Sequence, residues 1–319
     1  MRKLLTGLTA LPIIAAITPA AVIALTAPTS PPAMASAACT RRADPDLPTP
    51  RQFRARDGTR LQYYAYPAES NKVAILIHGS VFPGPSMHAL ATSLHDAGVT
   101  VYVPDIRGHG GSGRAGDIGY VGQLDDDLAD FVRALEPSKD GGSRTLVGFS
   151  AGAGFALRFA GGPYGELFDR YLFLSPILPG SPTLRPSSGG WVNVSIPRVV
   201  TITSLDRLGI HWFDGVAVIS YAVSPQLSAF VTSSYSYRLM ANFGAGSQYE
   251  TYLRTIRRPA AVFVGDMDEQ ERSDQFAPLF QRLGVDIPVT IVSGMRHADM
   301  IYAPAARQAV VRAVTQQQE

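Results

Sequence analysis

The five residues Gly148 to Gly152 constrain the fold of this chain more than any other stretch. They read Gly-Phe-Ser-Ala-Gly, follow the apolar run Thr145–Val147 and precede the helix-forming stretch Ala153–Ala160. This pattern between a strand and a helix is typical of a tight turn that raises its serine at the apex. The flanking glycines lack the Cβ atoms that would clash where the two backbones approach. Ser150 is therefore a candidate nucleophile, although a Gly-rich loop of an ordinary α/β domain has a similar sequence.

Short apolar runs alternate with helical stretches on both sides of this turn. The run Val73–Ile77 is continuous and β-rich, which is typical of a strand buried on both faces. Such alternation predicts a mostly parallel eight-stranded sheet with helices on both faces. The predicted strands are residues 51–56, 60–66, 73–77, 99–103, 145–149, 171–174, 261–264 and 289–292, and the predicted helices are 86–97, 121–135, the stretch after Ser150 and 303–315. The acids Asp125–Asp127 are expected on the solvated face of their helix.

Residues 176–258 interrupt this alternation. The stretch is rich in serine, proline and aromatic residues, and an unstructured loop of about eighty residues would be implausible in a compact domain. We therefore predict an inserted, mainly helical cap. Its charges are unbalanced, with three acids against seven arginines: Asp206, Asp214 and Glu250, then Arg185, Arg198, Arg207, Arg238, Arg254, Arg257 and Arg258.

The N-terminal region is typical of an exported protein. A basic start, Met1 to Lys3, precedes the uncharged run Leu4–Ala27, and small residues follow up to Ala38. This order predicts a signal peptide, with a retained membrane segment as the alternative, over residues 1–38, and a linker over 39–50 before the main domain at 51–319. The only cysteine, Cys39, excludes an intramolecular disulfide and resembles the lipid-attachment cysteine of bacterial lipoproteins, although Ser36 stands where that motif usually has leucine.

Charge argues against a nucleic-acid partner. The 28 lysines and arginines nearly balance the 26 acidic residues, and they form no basic stripe. Cysteine and histidine do not cluster with the spacing of a metal site, so neither a metal nor an organic cofactor is expected.

The protein is expected to be periplasmic or extracellular, either free, anchored through its N-terminal segment or lipidated at Cys39.

A nucleophilic serine needs a base, and the base needs a group that orients it. Two histidines follow Ser150: His211 lies inside the predicted cap, whereas His297 directly follows the strand 289–292. His297 is therefore the candidate base. The strand 261–264 ends in three acids within four residues, of which Asp268 is the first candidate for the orienting carboxylate and Asp266 the second.

The order Ser150, Asp268, His297 is that of the α/β-hydrolase fold. The chain also resembles the monoacylglycerol lipase, lysophospholipase and serine aminopeptidase group of that superfamily. The resemblance rests on His78 to Ser80, which matches the group's HG-x loop, and on Asp105 to Ser112, which matches its D-x-R-G-H-G-x-S segment. It runs from about Val73 to the C-terminus, with the cap matching only in position and approximate size.

The resemblance implies an oxyanion hole and a class of reaction. The donors would be the backbone N–H groups of Ala151 and Ser80, with Val81 as the alternative to Ser80. His78 and His109 are assigned structural hydrogen bonds. The expected function is hydrolysis of a carboxylic ester through an acyl-enzyme, of the carboxylesterase, lysophospholipase or monoacylglycerol lipase type. The expected substrate is a small-molecule, lipid-like ester with an apolar acyl group, and the excess of arginine in the cap would suit an anionic head group. Few carboxylates in the cap argue against a serine aminopeptidase, which must bind a cationic N-terminus, and the other alternative is a non-catalytic lipid-binding lipoprotein.

Overall fold

The computed structural model describes residues 18–33, 46–135, 142–224, 227 and 231–316. Among these, eight strands form the main sheet: β1 (Arg51–Arg54), β2 (Arg60–Tyr66), β3 (Lys72–Ile77), β4 (Thr100–Pro104), β5 (Ser143–Phe149), β6 (Arg170–Leu174), β10 (Ala260–Gly265) and β11 (Val289–Val292). Its helices are α1 (His88–Asp96), α2 (Gln123–Ala134), α3 (Ala151–Ala160), α7 (Phe276–Leu283), α8 (Asp299–Tyr302) and α9 (Pro304–Thr315).

The sheet order brings the candidate residues to one edge. It is β1-β2-β4-β3-β5-β6-β10-β11, and all neighbouring pairs from β4 to β11 in this order are parallel. Only β1 with β2 and β2 with β4 pair in the antiparallel sense. Because parallel strands end at the same side, the turns after β5, β10 and β11 meet there. The predicted mostly parallel sheet is confirmed.

Helices cover both faces of the sheet. Successive residues of β3 alternate between two apolar cores, with Ile75 and Ile77 in one and Ala74 and Leu76 in the other, all fully buried. Side chains of α2, α3 and α7 pack into the first core, and those of α1, α8 and α9 into the second. A strand buried on both faces needs apolar residues at every position, which explains the continuous run in the sequence.

The insertion contains helices and a small sheet. Its helices are α4 (Ile196–Asp206), α5 (Tyr237–Asn242) and α6 (Tyr249–Thr255). Its strands are β7 (Val192–Val194), β8 (Ala217–Tyr221) and β9 (Ser234–Ser236), which form a three-stranded antiparallel sheet. The sequence analysis did not predict this sheet, nor the helix α7. Short 3₁₀ turns lie at Gly84–Met87, Gly165–Leu167 and Ser273–Gln275, whereas Pro186–Gly190 turns through left-handed residues with positive φ at Ser187, Ser188 and Gly189.

The acids of α2 contact other elements. Asp127 is buried against Arg107, with Nε to Oδ2 at 2.7 Å and Nη2 to Oδ1 at 2.8 Å. Asp125 accepts two hydrogen bonds from Nη1 of Arg158 on α3. The expected solvated face is therefore wrong for Asp127, because a bidentate arginine pair replaces its water.

The N-terminal region is described over residues 18–33, of which 18–25 are helical. Each helix among the described residues is either too short or too polar to span a lipid bilayer. Cys39 and the small residues 34–38 before it lie outside the described residues. Cleavage and lipidation therefore stay predictions of the sequence.

Candidate active site

Ser150 stands at a strained turn between β5 and α3. Its φ of 57° and ψ of −122° are rare for a residue other than glycine. A Cβ on Gly148 would lie 2.3 Å from the carbonyl oxygen of Gly152, and a Cβ on Gly152 would lie 2.2 Å from that of His78. Both positions therefore require glycine, as the sequence pattern predicts, and their close backbone contacts hold the serine in place.

A chain of hydrogen bonds joins the three candidate residues. His297 Nε2 lies 2.9 Å from Ser150 Oγ, and His297 Nδ1 lies 2.9 Å and 3.0 Å from the two carboxylate oxygens of Asp268. All three residues are buried. With Nδ1 donating to Asp268, Nε2 has a free lone pair toward the serine hydroxyl. The arrangement can remove the proton of Ser150.

Asp268 and Asp266 have different partners. The Oδ1 atom of Asp268 also accepts the backbone N–H groups of Gln270 and Glu271, at 2.9 Å and 3.0 Å. Burial opposes its ionisation, but His297 and these donors lower the pKa of the carboxyl below its usual value. Asp266 is exposed and accepts hydrogen bonds from Ser293 and Gly294 in the turn before the histidine. The structure thus brings Asp268, rather than Asp266, to the imidazole.

Of the candidate oxyanion donors, the backbone N–H of Val81 already donates a hydrogen bond within the protein. Its acceptor, at 2.8 Å, is the hydroxyl of Tyr235, a residue of the cap strand β9. Among the described residues, the N–H groups of Ser80 and Ala151 donate no hydrogen bond within the protein. Gly79, the residue before Ser80, packs against the serine, since a Cβ on Gly79 would lie 3.1 Å from the Cβ of Ser150. The N–H groups of Ser80 and Ala151 thus have no competing acceptor in the described part of the chain, and their role as oxyanion donors stays a prediction.

Tyr235 connects the cap to the loop after β3 that carries Ser80 and Val81, which we name the oxyanion loop after the predicted role of Ser80. Val81 has a φ of 76°, which is a costly conformation for a β-branched residue. The hydroxyl of Tyr235 accepts the Val81 N–H and lies 2.6 Å from Nε2 of His109, and all three residues are buried. The sequence analysis missed Tyr235, because no local pattern distinguishes it from the other aromatic residues of the cap.

The remaining histidines lie away from the base position. His78 is fully buried, donates from Nδ1 to its neighbour's carbonyl and accepts the N–H of Ile106 at Nε2. Burial lowers the pKa of His78 to about 4, so it is neutral at pH 7. Burial also lowers the pKa of His109 well below its usual value. His211 is exposed in the cap and contacts Asp206 and Asp214.

The loop that carries Asp268 (the acid loop, residues 266–272) is paired with residues 183–185 near the start of the cap, which we call its first arm. The backbone N–H of Arg185 donates to the carbonyl of Gln270 at 2.9 Å, and that of Arg272 donates to the carbonyl of Thr183 at 2.6 Å. Between them lies Glu271, whose side chain is buried. Burial and the adjacent charge of Asp268 raise the pKa of the Glu271 carboxyl well above its usual value. Glu271 is therefore a buried acid whose charged form is disfavoured.

We predict that Glu271→Gln stabilises the protein at pH 8 and changes little at pH 4.5. When the pKa of a carboxyl is higher in the folded than in the unfolded state, the free energy of unfolding of the protein falls as pH rises above the unfolded pKa. The fall is about 1.4 kcal/mol for each pH unit until the folded pKa is reached. A neutral glutamine removes that dependence. Urea unfolding of both proteins at the two pH values measures the effect. An equal change in the free energy of unfolding at both would contradict it.

A pocket opens over Ser150. Its apolar lining includes Phe82 and Phe149 near the turn, Trp191 from the cap, and Ile301 and Tyr302 of α8. Trp191 stacks on Phe82 with a ring-centroid distance of 6.4 Å. Glu269 lines the pocket, and its carboxylate accepts the backbone N–H of His297 at 3.0 Å. Among the described residues that line this pocket, there is none of the seven cap arginines.

Comparison with known proteins identifies the family. The family model described as serine aminopeptidase, S33, matches residues 68–301, which is more than half of the chain. The chain belongs to this family. It is an α/β-hydrolase, as the motifs in the sequence predicted. Among curated proteins, none matches.

Solved structures share the fold of this S33-family chain. A monoacylglycerol lipase from Paleococcus ferrophilus is 21% identical with a TM-score of 0.60, and covers 80% of this chain and 98% of its own. A soluble variant of monoglyceride lipase from Saccharomyces cerevisiae, in complex with a substrate analog, is 17% identical with a TM-score of 0.62, covering 84% and 93%. A bromoperoxidase from Bacillus anthracis is 18% identical with a TM-score of 0.57, covering 84% and 100%. Because these identities are low and the three proteins are named for different reactions, the likeness concerns the fold alone.

Proposed function

We propose that this protein is a serine hydrolase that cleaves carboxylic esters with an apolar acyl group through an acyl-enzyme. One observation carries the proposal: Ser150, His297 and Asp268 form a continuous hydrogen-bond chain at the floor of an aromatic pocket. Family membership and the lipase-like fold are consistent with it. The reaction needs no metal or cofactor.

The first half-reaction begins at the serine. Ser150 Oγ attacks the ester carbonyl carbon while His297 Nε2 accepts its proton, and Asp268 stabilises the imidazolium through Nδ1. The carbonyl oxygen becomes negative and accepts the N–H groups of Ser80 and Ala151. Each preorganised donor contributes roughly 2.7–4 kcal/mol to transition-state stabilisation. His297 then protonates the leaving alcohol, and the acyl group stays on Ser150.

The second half-reaction repeats these steps with water as the nucleophile. His297 removes a proton from the water, which attacks the acyl carbonyl, and the same two donors bind the oxyanion. Collapse of the intermediate returns the proton from His297 to Ser150 and releases the carboxylic acid.

The pocket argues for an apolar, uncharged acyl group. Phe82, Trp191 and Ile301 offer aromatic and aliphatic surface, and none of the described residues that line the pocket is an arginine that could pair with an anionic head group. Glu269 is the one observation that favours the second candidate, a serine aminopeptidase, because a carboxylate could bind a cationic N-terminus. The backbone N–H of His297 already occupies one of its oxygens, so we rank this candidate second.

A series of substrates tests the proposal. We expect purified protein to hydrolyse nitrophenyl esters, with kcat/KM rising from the acetyl to longer acyl chains as apolar surface is buried. Aminoacyl nitroanilides should react far more slowly. Failure to hydrolyse an ester of any chain length would refute the proposal, and a preference for the nitroanilides would favour the aminopeptidase.

A further prediction concerns Tyr235. We expect Tyr235→Phe to lower kcat roughly ten- to a hundredfold with little change in KM, because the buried Val81 N–H loses its acceptor and the oxyanion loop shifts. Tyr237→Phe is the matched control, since its hydroxyl contacts Thr203 within the cap at 3.1 Å. Steady-state kinetics on one ester compare the two variants. Equal, small effects of both would show that Tyr235 has no special role.

A further inference from the structure

The N-terminal segment, residues 18–33, lies against the cap. Its helical part carries Ile23, which is 6% exposed and belongs to the same buried apolar cluster as Ile202 of α4 and Val218 of β8. The flanking Ala24 is exposed. The segment therefore presents one apolar side chain to the core of the folded protein.

Hydrogen bonds from three places in the cap hold the rest of the segment. Ser195 Oγ, at the start of α4, donates to the carbonyl of Thr26 at 2.5 Å. The side-chain amide of Asn193, on β7, donates to the carbonyl and the hydroxyl of Thr29, both at 2.8 Å. A fourth contact of 3.0 Å joins the hydroxyls of Ser30 and Ser220. Side chains of two cap strands and a helix start thus bind this one segment.

The surface beside this contact is apolar and exposed. Leu25, adjacent to Thr26, is 85% exposed, and Ile196, adjacent to Ser195, is 61% exposed. Val200 lies one turn further along α4 on the same helix face and is 58% exposed. A group of exposed large apolar residues is typical of a site that contacts a partner or a membrane. Here it adjoins residues 18–27 of the docked segment, which carry no charge.

We propose that residues 18–33 stay on the mature protein, docked on the cap, and that the exposed side chains of Leu25 in this segment and of Ile196 and Val200 beside it hold this side of the cap on a lipid bilayer. Cleavage among the small residues before Cys39 would remove the whole docked segment, Ile23 and Thr29 included. The proposal therefore chooses the retained segment over the cleaved signal peptide. It goes beyond the proposed ester hydrolysis and does not depend on it.

The mature N-terminus tests retention directly. The full chain with a C-terminal tag is produced in a bacterium that exports it, the membrane and soluble fractions are separated, and the intact mass is measured in each. We expect protein in the membrane fraction that still contains residues 18–33. Folded protein that begins after residue 33, including one that begins at a lipid-modified Cys39, would overturn the proposal. Retained protein that is found in the soluble fraction would overturn the bilayer contact.

Two substitutions test the docking. Ile23→Asp and Ala24→Asp put the same charge into the same uncharged run, but only Ile23 is buried. We expect Ile23→Asp to lower Tm by several degrees and Ala24→Asp to leave it unchanged, because burying a charge is costly. Equal shifts in both variants would overturn the docking. Hydrolysis of a soluble nitrophenyl ester, measured alongside, reports on the proposed function separately.

Discussion

Ser150→Ala is expected to lower kcat for ester hydrolysis by about five orders of magnitude, because no other group can form the acyl-enzyme. The methyl side chain keeps the backbone of the turn, so thermal unfolding should change little. Steady-state kinetics measure the loss, with the active-site-titrated wild type as the reference. A fluorophosphonate probe should label the wild type and not the variant.

The same variant separates the proposed enzyme from a non-catalytic lipid-binding protein. A wild-type chain that binds lipid but reacts with no fluorophosphonate would favour the binding protein. Hydrolysis by Ser150→Ala at a wild-type rate would mean that the activity comes from another site or from a contaminant.

Asp268→Asn is expected to lower kcat about 10⁴-fold, because an amide does not hold the imidazole in the required tautomer or stabilise its positive charge. Asp266→Asn is the matched control, with the same change two residues away in the same loop. Asp266 contacts Ser293 and Gly294 rather than the imidazole, so its effect should stay within a few-fold. A larger loss for Asp266→Asn than for Asp268→Asn would reverse the assignment of the carboxylate.

Much of the fold could be predicted because strong local patterns encode it. The strand β3 is a continuous apolar run, and the turn at Ser150 needs glycine at two positions where carbonyl oxygens approach. The order of the motifs along the chain predicted which strand ends meet. The structure brings Ser150, Asp268 and His297 within hydrogen-bond distance of one another.

Other elements were missed for different reasons. The helix α7 has buried apolar residues at Phe276, Leu279, Phe280 and Leu283, the spacing of an amphipathic helix, so its signal was present in the sequence. The cap strands β7 and β9 have three residues each, too few for an alternating pattern to be recognised. A short strand depends on its partners for stability, and the sequence does not name those partners.

Contacts between distant residues were the least predictable. The carboxylate of Asp127 can be buried because Arg107, twenty residues earlier, donates two hydrogen bonds to it. Tyr235 acquires its role from Val81, 154 residues before it. No local sequence pattern predicts either contact, because aspartate also occurs at solvated positions and tyrosine in ordinary apolar packing.

The contacts of the cap bear on how enzymes of this fold could be recombined. The cap supplies the hydroxyl that holds Val81, and its first arm pairs with the acid loop through Thr183 and Arg185. An insertion is often regarded as an exchangeable module that changes specificity without affecting the chemistry. In this chain, a cap grafted from a relative would have to reproduce both sets of contacts. Exchanging the cap would therefore change the catalytic rate as well as the substrate preference.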